Sequence, residues 1–480
     1  MIRRALTTLV SASVLGLVAC EDTAPPGEEG SGGATATATA TSTSSAAGGG
    51  AGGTGGAPAT ALSLSIVGPP AGMAFRRRWV SVEVAVEAPA GAVLSLERDG
   101  AVVDSLTVDP SHAGPLHLRL PLGRGATPFR VALAAKDGAT IHEDASLYGG
   151  APLAAALDTM LAVRAGSLAR WGAGSPALES LKAPVDATSV GAASQALWSL
   201  DAAGQVFKAP SAAASFTAVS GASEIVAMAI GGAHALFLRA DGGVLSTGAN
   251  EHGQLGTGDT ASHADVATIA GLGDIVAVAA GQETSFAVAS DGLVYAWGSN
   301  DSGQLGVGDE DASPHPKPLV IPSLVDIAGI AAARDHVLVV SREGQMLSWG
   351  EGSSGQLGHG SSGILASKSQ PVPIDLEERA LDVAASGNTS YAVLANGKLL
   401  GWGQNSSGQL GVGDTSARVA PAACVVGGVL AVGPGAVGVL ALDAKGALFA
   451  WGSNGSGQLS QPLPPDGPAR SSTPVEVLWP

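Results

Sequence analysis

Short apolar runs interrupted by polar residues and glycines dominate the chain after residue 60. Residues 62–67 and 80–86 alternate apolar with polar side chains, and a period of two is that of a strand with one buried face. Asp99 and Gly100 follow another such run, and this dipeptide favours a tight hairpin because glycine readily adopts positive φ. No long stretch has the period of an amphipathic helix. The pattern therefore predicts an all-β chain.

Residues 61–150 contain the first group of predicted strands, which includes residues 116–120 and 129–135. Several short strands separated by turn residues, within about 90 residues, are typical of an immunoglobulin-like sandwich. Arg76, Arg77 and Arg78 form a basic run in this segment, and we expect them to lie in a solvated loop, with a contact to acidic headgroups or to the acidic propeller as the alternative. We predict a small Ig-like β-sandwich here.

One motif recurs along residues 151–480. Its clearest copy is residues 291–309, DGLVYAWGSNDSGQLGVGD. Other copies occupy residues 241–259, 343–360, 396–414 and 445–460, and shorter ones lie at 160–172 and 195–207. The residues that we assign to the structural repeat are Gly242, Gly292, Trp297, Gly303, Leu305, Gly306, Trp349, Leu357, Trp402, Leu410, Trp451 and Leu459. Self-similarity at a period of about fifty residues predicts an array in which each copy is one supersecondary unit.

The repeated motif resembles that of the regulator of chromosome condensation (RCC1-like) family. The resemblance covers residues 151–480 and implies a seven-bladed β-propeller. The turn glycines of the copies agree with that number; they are Gly166, Gly204, Gly242, Gly292, Gly344, Gly397 and Gly446. From the lengths at the two ends we predict that residues 474–478 complete the blade begun near Leu153. Such closure would leave no open sheet edge.

The repeated residues are expected to have structural roles. Glycines such as Gly303 allow tight turns, and leucines such as Leu305 should fill the gaps between blades. His234 and His336 follow small-residue turns, where we expect each ring to bond a neighbouring backbone carbonyl, with a ligand or proton-transfer role as the alternative. Cys424 has apolar neighbours and is expected to be a buried structural thiol.

The N-terminus has the pattern of an export signal. Arg3 and Arg4 precede an apolar run at residues 9–18 that is too short to span a bilayer. The run ends in Leu-Val-Ala-Cys, which resembles the lipobox of bacterial lipoproteins, whose cysteine receives a diacylglyceryl group. We predict a signal peptide over residues 1–19 and lipidation of Cys20, with an ordinary signal peptide as the alternative. Two or more acyl chains anchor a protein stably where one does not.

Residues 20–60 begin with that cysteine and continue as a low-complexity segment rich in Ala, Thr and Gly. Such a composition cannot bury enough apolar surface to offset the entropy of ordering. We predict a flexible linker that tethers the β domains to a membrane. The predicted location is the bacterial cell envelope, at either the inner or the outer membrane.

Charge and missing motifs narrow the function further. The formal net charge is −17, and nucleic-acid binding depends on Lys and Arg side chains that neutralise phosphates, so we expect no nucleic-acid partner. The sequence has no zinc-protease, nucleophile-elbow, CxxC or phosphate-loop motif. The acidic residues 309–311 lack the spacing of a calcium loop. We therefore expect no enzyme activity, no cofactor and no metal site.

The preferred hypothesis is an envelope-exposed module that binds an unknown protein partner through a propeller face. Segments 309–321 and 360–378 are the longest that we predict between strands, and loops on a rigid scaffold often carry recognition. The candidate binding residues in them are Asp311, His315, Lys317, Glu377 and Arg379. The alternatives are an inhibitor of a secreted enzyme, which has precedent among secreted bacterial propellers of this class, and an enzyme that uses the propeller channel. Guanine-nucleotide exchange, the activity of the family's eponymous member, is not expected of an exported acidic chain that lacks a basic tail.

Overall fold

The computed structural model describes residues 62–479 except 72, 76, 78, 110–113, 182–185, 194 and 212–214. The predicted signal peptide, the lipidated Cys20 and the linker lie outside the described residues. Among those that are described, the one helix is a single 3-10 turn, Ile364–Ala366, and every other regular element is a strand. No helix in the described ranges has the length and apolarity needed to cross a bilayer.

The first eight strands form two sheets. The three-stranded sheet consists of β1 (Ser63–Gly68), β3 (Trp79–Glu87) and β6 (Leu116–Pro121), in the order β1-β3-β6. The five-stranded sheet consists of β2 (Ala74–Phe75), β4 (Val93–Arg98), β5 (Ala101–Thr107), β7 (Gly125–Ala134) and β8 (Thr140–Gly149), in the order β2-β8-β7-β4-β5.

Alternation in these strands produces a shared core. Along β6 the burial alternates strictly, with Leu118 and Leu120 fully buried. Leu94 and Val131, from the other sheet, are also fully buried in the same cluster. The two sheets therefore pack face to face around apolar side chains, as the period-two pattern requires. We call this unit the sandwich; its Ig-like topology stays a prediction.

Seven four-stranded sheets follow in the described residues. They consist of β9 (Leu153–Ala155), β10 (Thr159–Arg164), β11 (Ser167–Gly172) and β12 (Ser175–Ser180); β13 (Ala187–Ala192), β14 (Ala196–Asp201), β15 (Val206–Pro210) and β16 (Thr217–Ala218); β17 (Ile225–Ile230), β18 (His234–Arg239), β19 (Val244–Gly248) and β20 (His263–Thr268); β21 (Ile275–Ala280), β22 (Thr284–Ala289), β23 (Val294–Asn300) and β24 (Asp311–Val320); β25 (Ile327–Ala332), β26 (His336–Ser341), β27 (Met346–Gly350) and β28 (Lys368–Ile374); β29 (Ala380–Ser386), β30 (Thr389–Leu394), β31 (Lys398–Gly403) and β32 (Arg418–Gly427); and β33 (Val429–Pro434), β34 (Gly438–Asp443), β35 (Leu448–Ser453) and β36 (Arg470–Val477).

Each four-stranded sheet is an antiparallel meander in chain order, and we refer to the sheets as blades one to seven. The first strands of successive blades contact one another, and β33 of blade seven contacts β9 of blade one. A central cavity of about 930 Å³ is lined by the first strands of all seven blades. The blades therefore form a closed ring, with the first strand of each blade innermost.

The ring closes by packing and not by exchange of a strand. β36 pairs with β35 of its own blade, with Val475 opposite Ala450 and Val477 opposite Leu448. Blade one is already complete, because β12 provides its outermost strand. The prediction that residues 474–478 complete the blade begun near Leu153 is therefore wrong. The segment after Trp171 forms a fourth strand without the Gly-Gln-Leu-Gly loop of later copies, so no strand from the C-terminus is needed.

The two faces of the ring carry different connections. The turn face, as we name it, carries the glycine turns between the second and third strands of each blade, such as Gly292. The loop face carries the turns between the first and second strands and the Gly-Gln-Leu-Gly loops after the third. The sandwich contacts the turn face. The Tyr148 hydroxyl donates to Thr188 O at 2.8 Å, and Arg124 donates to Ala202 O at 2.9 Å.

Candidate protein-binding face

Each loop on the loop face is held by its own side chains. In blade four, Asn300 Oδ1 accepts from Leu305 N at 3.1 Å, and Asn300 Nδ2 donates to Asp309 O at 3.0 Å. Gln304 Oε1 accepts from Ser302 N at 2.7 Å. Asparagines at the matching positions of three other blades make the same Oδ1 contact to a leucine N–H; they are Asn250, Asn405 and Asn454. These four loops are therefore braced internally, because part of each loop's backbone bonds to the loop's own side chains.

The same loops also join neighbouring blades. The indole Nε1 of Trp297 in blade four donates to Gln254 O in the loop of blade three at 2.9 Å. We call this interaction the indole contact. It recurs at four further junctions, from Trp349 to Gln304 O (2.8 Å), Trp402 to Gln356 O (2.9 Å), Trp451 to Gln409 O (2.7 Å) and Trp171 to Gln458 O (2.8 Å). The last of these joins blade seven to blade one and so closes the ring.

Apolar side chains and glycines complete these junctions. Leu305 is fully buried beside Trp349 in the cluster between blades four and five. Gly306 has φ of 73°, and a Cβ built on it would lie 2.7 Å from Trp349 Nε1, so the indole leaves room for no other residue. The remaining repeat leucines are buried in the same way; they are Leu255, Leu357, Leu410 and Leu459. The five junctions therefore share one arrangement of Trp, Gln and Leu, and a glycine follows the leucine in four of them, with Ser460 in its place at the fifth.

Two histidines add to the junctions. His234 Nε2 contacts Ser285 Oγ of the next blade at 2.9 Å, and that hydroxyl donates to Gln254 O at 2.7 Å. Burial lowers the pKa of His234 to about 4. His336 repeats the arrangement with Ser390 at 2.8 Å, and burial lowers its pKa to about 3. The rings therefore pack as neutral imidazoles. The carbonyl that we expected each of them to bond directly is reached through a serine.

The central cavity opens at the loop face. Its wall is formed mainly by Ala, Gly, Val and Ile residues from the ends of the innermost strands. Charged side chains, among them Glu251, Glu283 and Arg334, lie among its lining residues. Burial raises the pKa of Asp335; its ion pair with Arg334 opposes this rise, and the carboxylates of Glu351 and Glu283 add to it. Within the described ranges, no cluster of three or more His, Cys, Asp or Glu side chains is arranged to hold a metal ion.

The family model for the RCC1-like domain matches residues 187–479, which is more than half of the chain. The chain belongs to the RCC1-like domain family. The mitochondrial RCC1 domain-containing protein RUG3 of Arabidopsis thaliana is 35% identical over 102 residues, which cover 20% of this chain and 22% of that protein. The chain therefore matches only a small part of the length of that curated relative.

Solved structures show the same fold at low sequence identity. Human WBSCR16 superposes with a TM-score of 0.55 at 21% identity, covering 64% of this chain and 86% of that chain. Prp20p of Saccharomyces cerevisiae, described together with its binding to Gsp1p and histones, superposes with a TM-score of 0.52 at 22% identity, covering 59% of this chain and 80% of that chain. An RCC1-like propeller therefore follows the sandwich.

The RCC1-like blades place three predicted binding residues on a strand and not in a loop. Asp311, His315 and Lys317 belong to β24, the outermost strand of blade four. His315 Nε2 contacts Asp311 Oδ2 at 3.1 Å, and Lys317 is exposed. The prediction of a loop over residues 309–321 is wrong for most of its length. Prolines at alternate positions of this segment lack N–H donors, and an outermost strand tolerates them there.

The other two predicted binding residues lie at the turn face. Glu377 and Arg379 precede β29, whose first residue, Ala380, bonds to Gly344 O in a turn of the turn face. Arg379 forms an ion pair with Glu83 of the sandwich. Segment 360–378 is also not one loop, because it contains the 3-10 turn and β28. The five candidate residues are therefore not brought together in the RCC1-like propeller.

Cys424 lies on β32 and donates from Sγ to Leu410 O at 3.0 Å. Burial raises the pKa of this thiol to about 12, so it is a poor nucleophile near neutral pH. The repeat residues that our sequence interpretation overlooked are the Gln of all five loops and the Asn of four of them, which accept and donate the bonds described above; blade five has Gly352 at the Asn position. Their recurrence beside each repeated leucine was the available signal.

Proposed function

We propose that this protein is a lipid-anchored module of the bacterial envelope that binds another protein through the loop face of its propeller. The observation that carries the proposal is the asymmetry of the ring. The sandwich contacts the turn face, whereas the loop face presents braced loops around an open cavity. A surface whose loops are already ordered loses little conformational entropy when a partner binds.

The rim has charged side chains of both signs, Glu251 and Glu283 with Lys208 and Arg334, and we infer that its two glutamates face cationic groups of the partner. Glu251 and Glu283 are exposed or half-buried lining residues, and the field of Glu283 contributes to the raised pKa of Asp335. Acidic groups that repel one another are stabilised when a cationic group binds between them. Prp20p, with a similar fold, binds proteins, and a protein partner is what we propose for this chain.

Inhibition of a secreted enzyme is a special case of the same proposal, since it needs only that the bound partner be an enzyme. An enzyme in the channel is less well supported, because the wall consists mainly of small apolar side chains. General acid–base chemistry needs titratable groups that converge on one point. Guanine-nucleotide exchange is not part of the proposal.

The loop-face proposal is tested by site-specific photo-cross-linking in cells. A photoreactive residue at Gln282 should yield a defined adduct with a protein, whereas the same residue at Asp291 on the turn face should not. Glu251→Lys with Glu283→Lys should abolish the adduct from position 282, whereas Asp291→Lys should leave that adduct intact. Equal adducts from both faces, or an adduct insensitive to rim charge, would contradict the proposal.

The anchor is tested separately. Labelling of cells with radioactive palmitate should mark the wild-type chain and not the Cys20→Ala variant, because the thiol is the proposed acceptor. Label that persists in Cys20→Ala would refute lipidation at this residue and would leave the loop-face proposal untouched.

A further inference from the structure

A second cavity, of about 910 Å³, lies between the sandwich and the turn face of the propeller. Apolar side chains from both units form much of its wall, among them Phe75, Val80, Val276, Ile327 and Leu381. Four arginines and two glutamates also line it; they are Arg77, Arg119, Arg342, Arg379, Glu83 and Glu343. The cavity is therefore apolar with an excess of cationic groups.

Two of these arginines have carboxylate partners. Arg379 forms an ion pair with Glu83. Arg342 pairs with Asp326 at 3.2 Å and donates to Ser290 O at 2.6 Å. The positive charges of Arg379 and Arg342 are thus largely balanced by these carboxylates. The unbalanced positive charge of the cavity must therefore come from another of its arginines.

Arg77 differs from them in its surroundings. Its backbone bridges to Ala277, and its Nη2 donates to Leu381 O at 3.2 Å. The guanidinium carbon lies 4.5 Å from the ring centroid of Phe75. A Cβ built on Gly329 would lie 3.1 Å from Nη1. Arg77 therefore reaches the innermost strands of three blades, and the expectation of a solvated loop is wrong for this residue.

The guanidinium of Arg77 is incompletely satisfied. Its Nε and Nη1 are buried, and within the described part of the chain neither has a hydrogen-bond partner. The carboxylate of Asp382 acts on the group electrostatically, but burial outweighs it and lowers the pKa of Arg77. Buried donors on a cation are costly to leave unpaired. An anion in the cavity would supply the missing acceptors.

We propose that this cavity binds a monocarboxylate with an apolar chain, with the carboxylate held by Arg77 and the chain lying against Phe75, Val276 and Ile327. A single negative charge fits best, because one guanidinium has open donors and Asp382 already offsets part of its field. The apolar wall then favours an organic chain over a hydrated inorganic ion. This site is distinct from the loop face and does not depend on the function proposed for that face.

The experiment is calorimetric titration of the full chain, secreted with Cys20→Ser so that no attached lipid competes. Decanoate, below its micellar range, should bind with one molecule per chain. Decanamide has the same chain without the charge and should bind at least about tenfold more weakly, as should decanoate to Arg77→Met, because each change removes a charge-assisted hydrogen bond. In Arg77→Met the two ligands should bind equally.

Arg124→Met is the matched control, since Arg124 joins the sandwich to the propeller but does not line the cavity. It should leave decanoate affinity unchanged. The comparison of decanoate with decanamide on the unsubstituted Arg77 protein stands even if Arg77→Met fails to fold. No decanoate binding, equal binding of the two ligands, or tighter binding of inorganic phosphate or acetate than of decanoate would each overturn the proposal.

Discussion

The seven junctions of the ring are of two kinds. Five of them, from blade three round to blade one, carry the indole contact and a buried leucine. The two junctions on either side of blade two have no indole contact and no loop leucine, because blades one and two lack the Gly-Gln-Leu-Gly loop. There Trp198 packs against Phe237 of blade three with ring centroids 5.8 Å apart and tilted planes, and Lys208 lies over the indole. Backbone hydrogen bonds cross these two junctions as well, from Ala187 N to Gly166 O and from Ile225 N to Gly204 O, but the indole contact is missing from both.

Hydrogen bonds from the sandwich support blade two, whose junctions lack the indole contact. Arg124 donates to Ala202 O in blade two at 2.9 Å and to Ile225 O in blade three at 3.1 Å. Tyr148 donates to Thr188 O of blade two. The hydrogen bonds of Arg124 therefore span the junction between blades two and three, beside the backbone bond from Ile225 N to Gly204 O. The comparison teaches that a second domain can replace a missing motif as the brace between two blades.

The largest effect should come from emptying a junction that has the full motif. Leu305→Ala should lower the free energy of unfolding by about 2–5 kcal/mol, because Leu305 is fully buried and its neighbours are rigid. Denaturant unfolding of the full chain measures it. Val325→Ala is the control, since Val325 is 69% exposed, and it should change little. Equal effects of the two substitutions would contradict the blade-interface position.

Acid should weaken the junctions that contain histidine. His234 and His336 have pKa values lowered from 6.5 to about 4 and about 3, so below pH 6.5 the unfolded chain binds protons that the folded chain does not. Stability should therefore fall as the pH drops from about 6.5 to 4, by about 2 to 3 kcal/mol for each ring.

The measurement is the difference in melting temperature between the wild type and the His234→Gln/His336→Gln variant from pH 7 to pH 4.5. Carboxylates titrate in both proteins and cancel in this difference. The wild type should lose more stability than the variant over this range. Parallel pH profiles would show that the two imidazoles are not the source of acid sensitivity.

Removing one indole donor should have a smaller effect. Trp349→Phe leaves Gln304 O without its indole donor while keeping an aromatic ring, and should cost about 1–3 kcal/mol. Trp198→Phe removes an indole that packs without that contact and should cost less. Chemical denaturation of both variants measures the free energy of unfolding. An equal loss in the two variants would mean that the indole hydrogen bond contributes no stability beyond that of packing.

The smallest effect should come from the sandwich brace. Arg124→Met removes two hydrogen bonds at a partly exposed position and should cost about 1 kcal/mol. Arg239→Met is matched to it, because Arg239 lies on the same face but, among the described residues, forms its ion pairs within its own blade, with Glu224 and Asp241. Such surface pairs are worth little. Hydrogen exchange in blades two and three should increase in the first variant and not in the second.

The sequence predicted the propeller well, because Trp, Gly and Leu recur at a spacing that only a repeated unit produces. The sequence interpretation failed where the repeat is degenerate. Blade one lacks the Gly-Gln-Leu-Gly loop, so its fourth strand, β12, was overlooked. A strand from the C-terminus was wrongly assigned to blade one instead. The interpretation failed again at β24, where Pro314, Pro316 and Pro318 resemble a loop but suit an outermost strand. Arg77 could not be placed, because its burial depends on strands that lie 200 or more positions away along the chain.

Closure without a shared strand makes every blade a continuous stretch of sequence. A duplication or deletion of about fifty residues would then add or remove one whole blade and leave every remaining strand with its former partners. New chain ends could likewise be cut at any connection between blades, and the old ends joined, without dividing a sheet. The ring is therefore modular at the level of the gene.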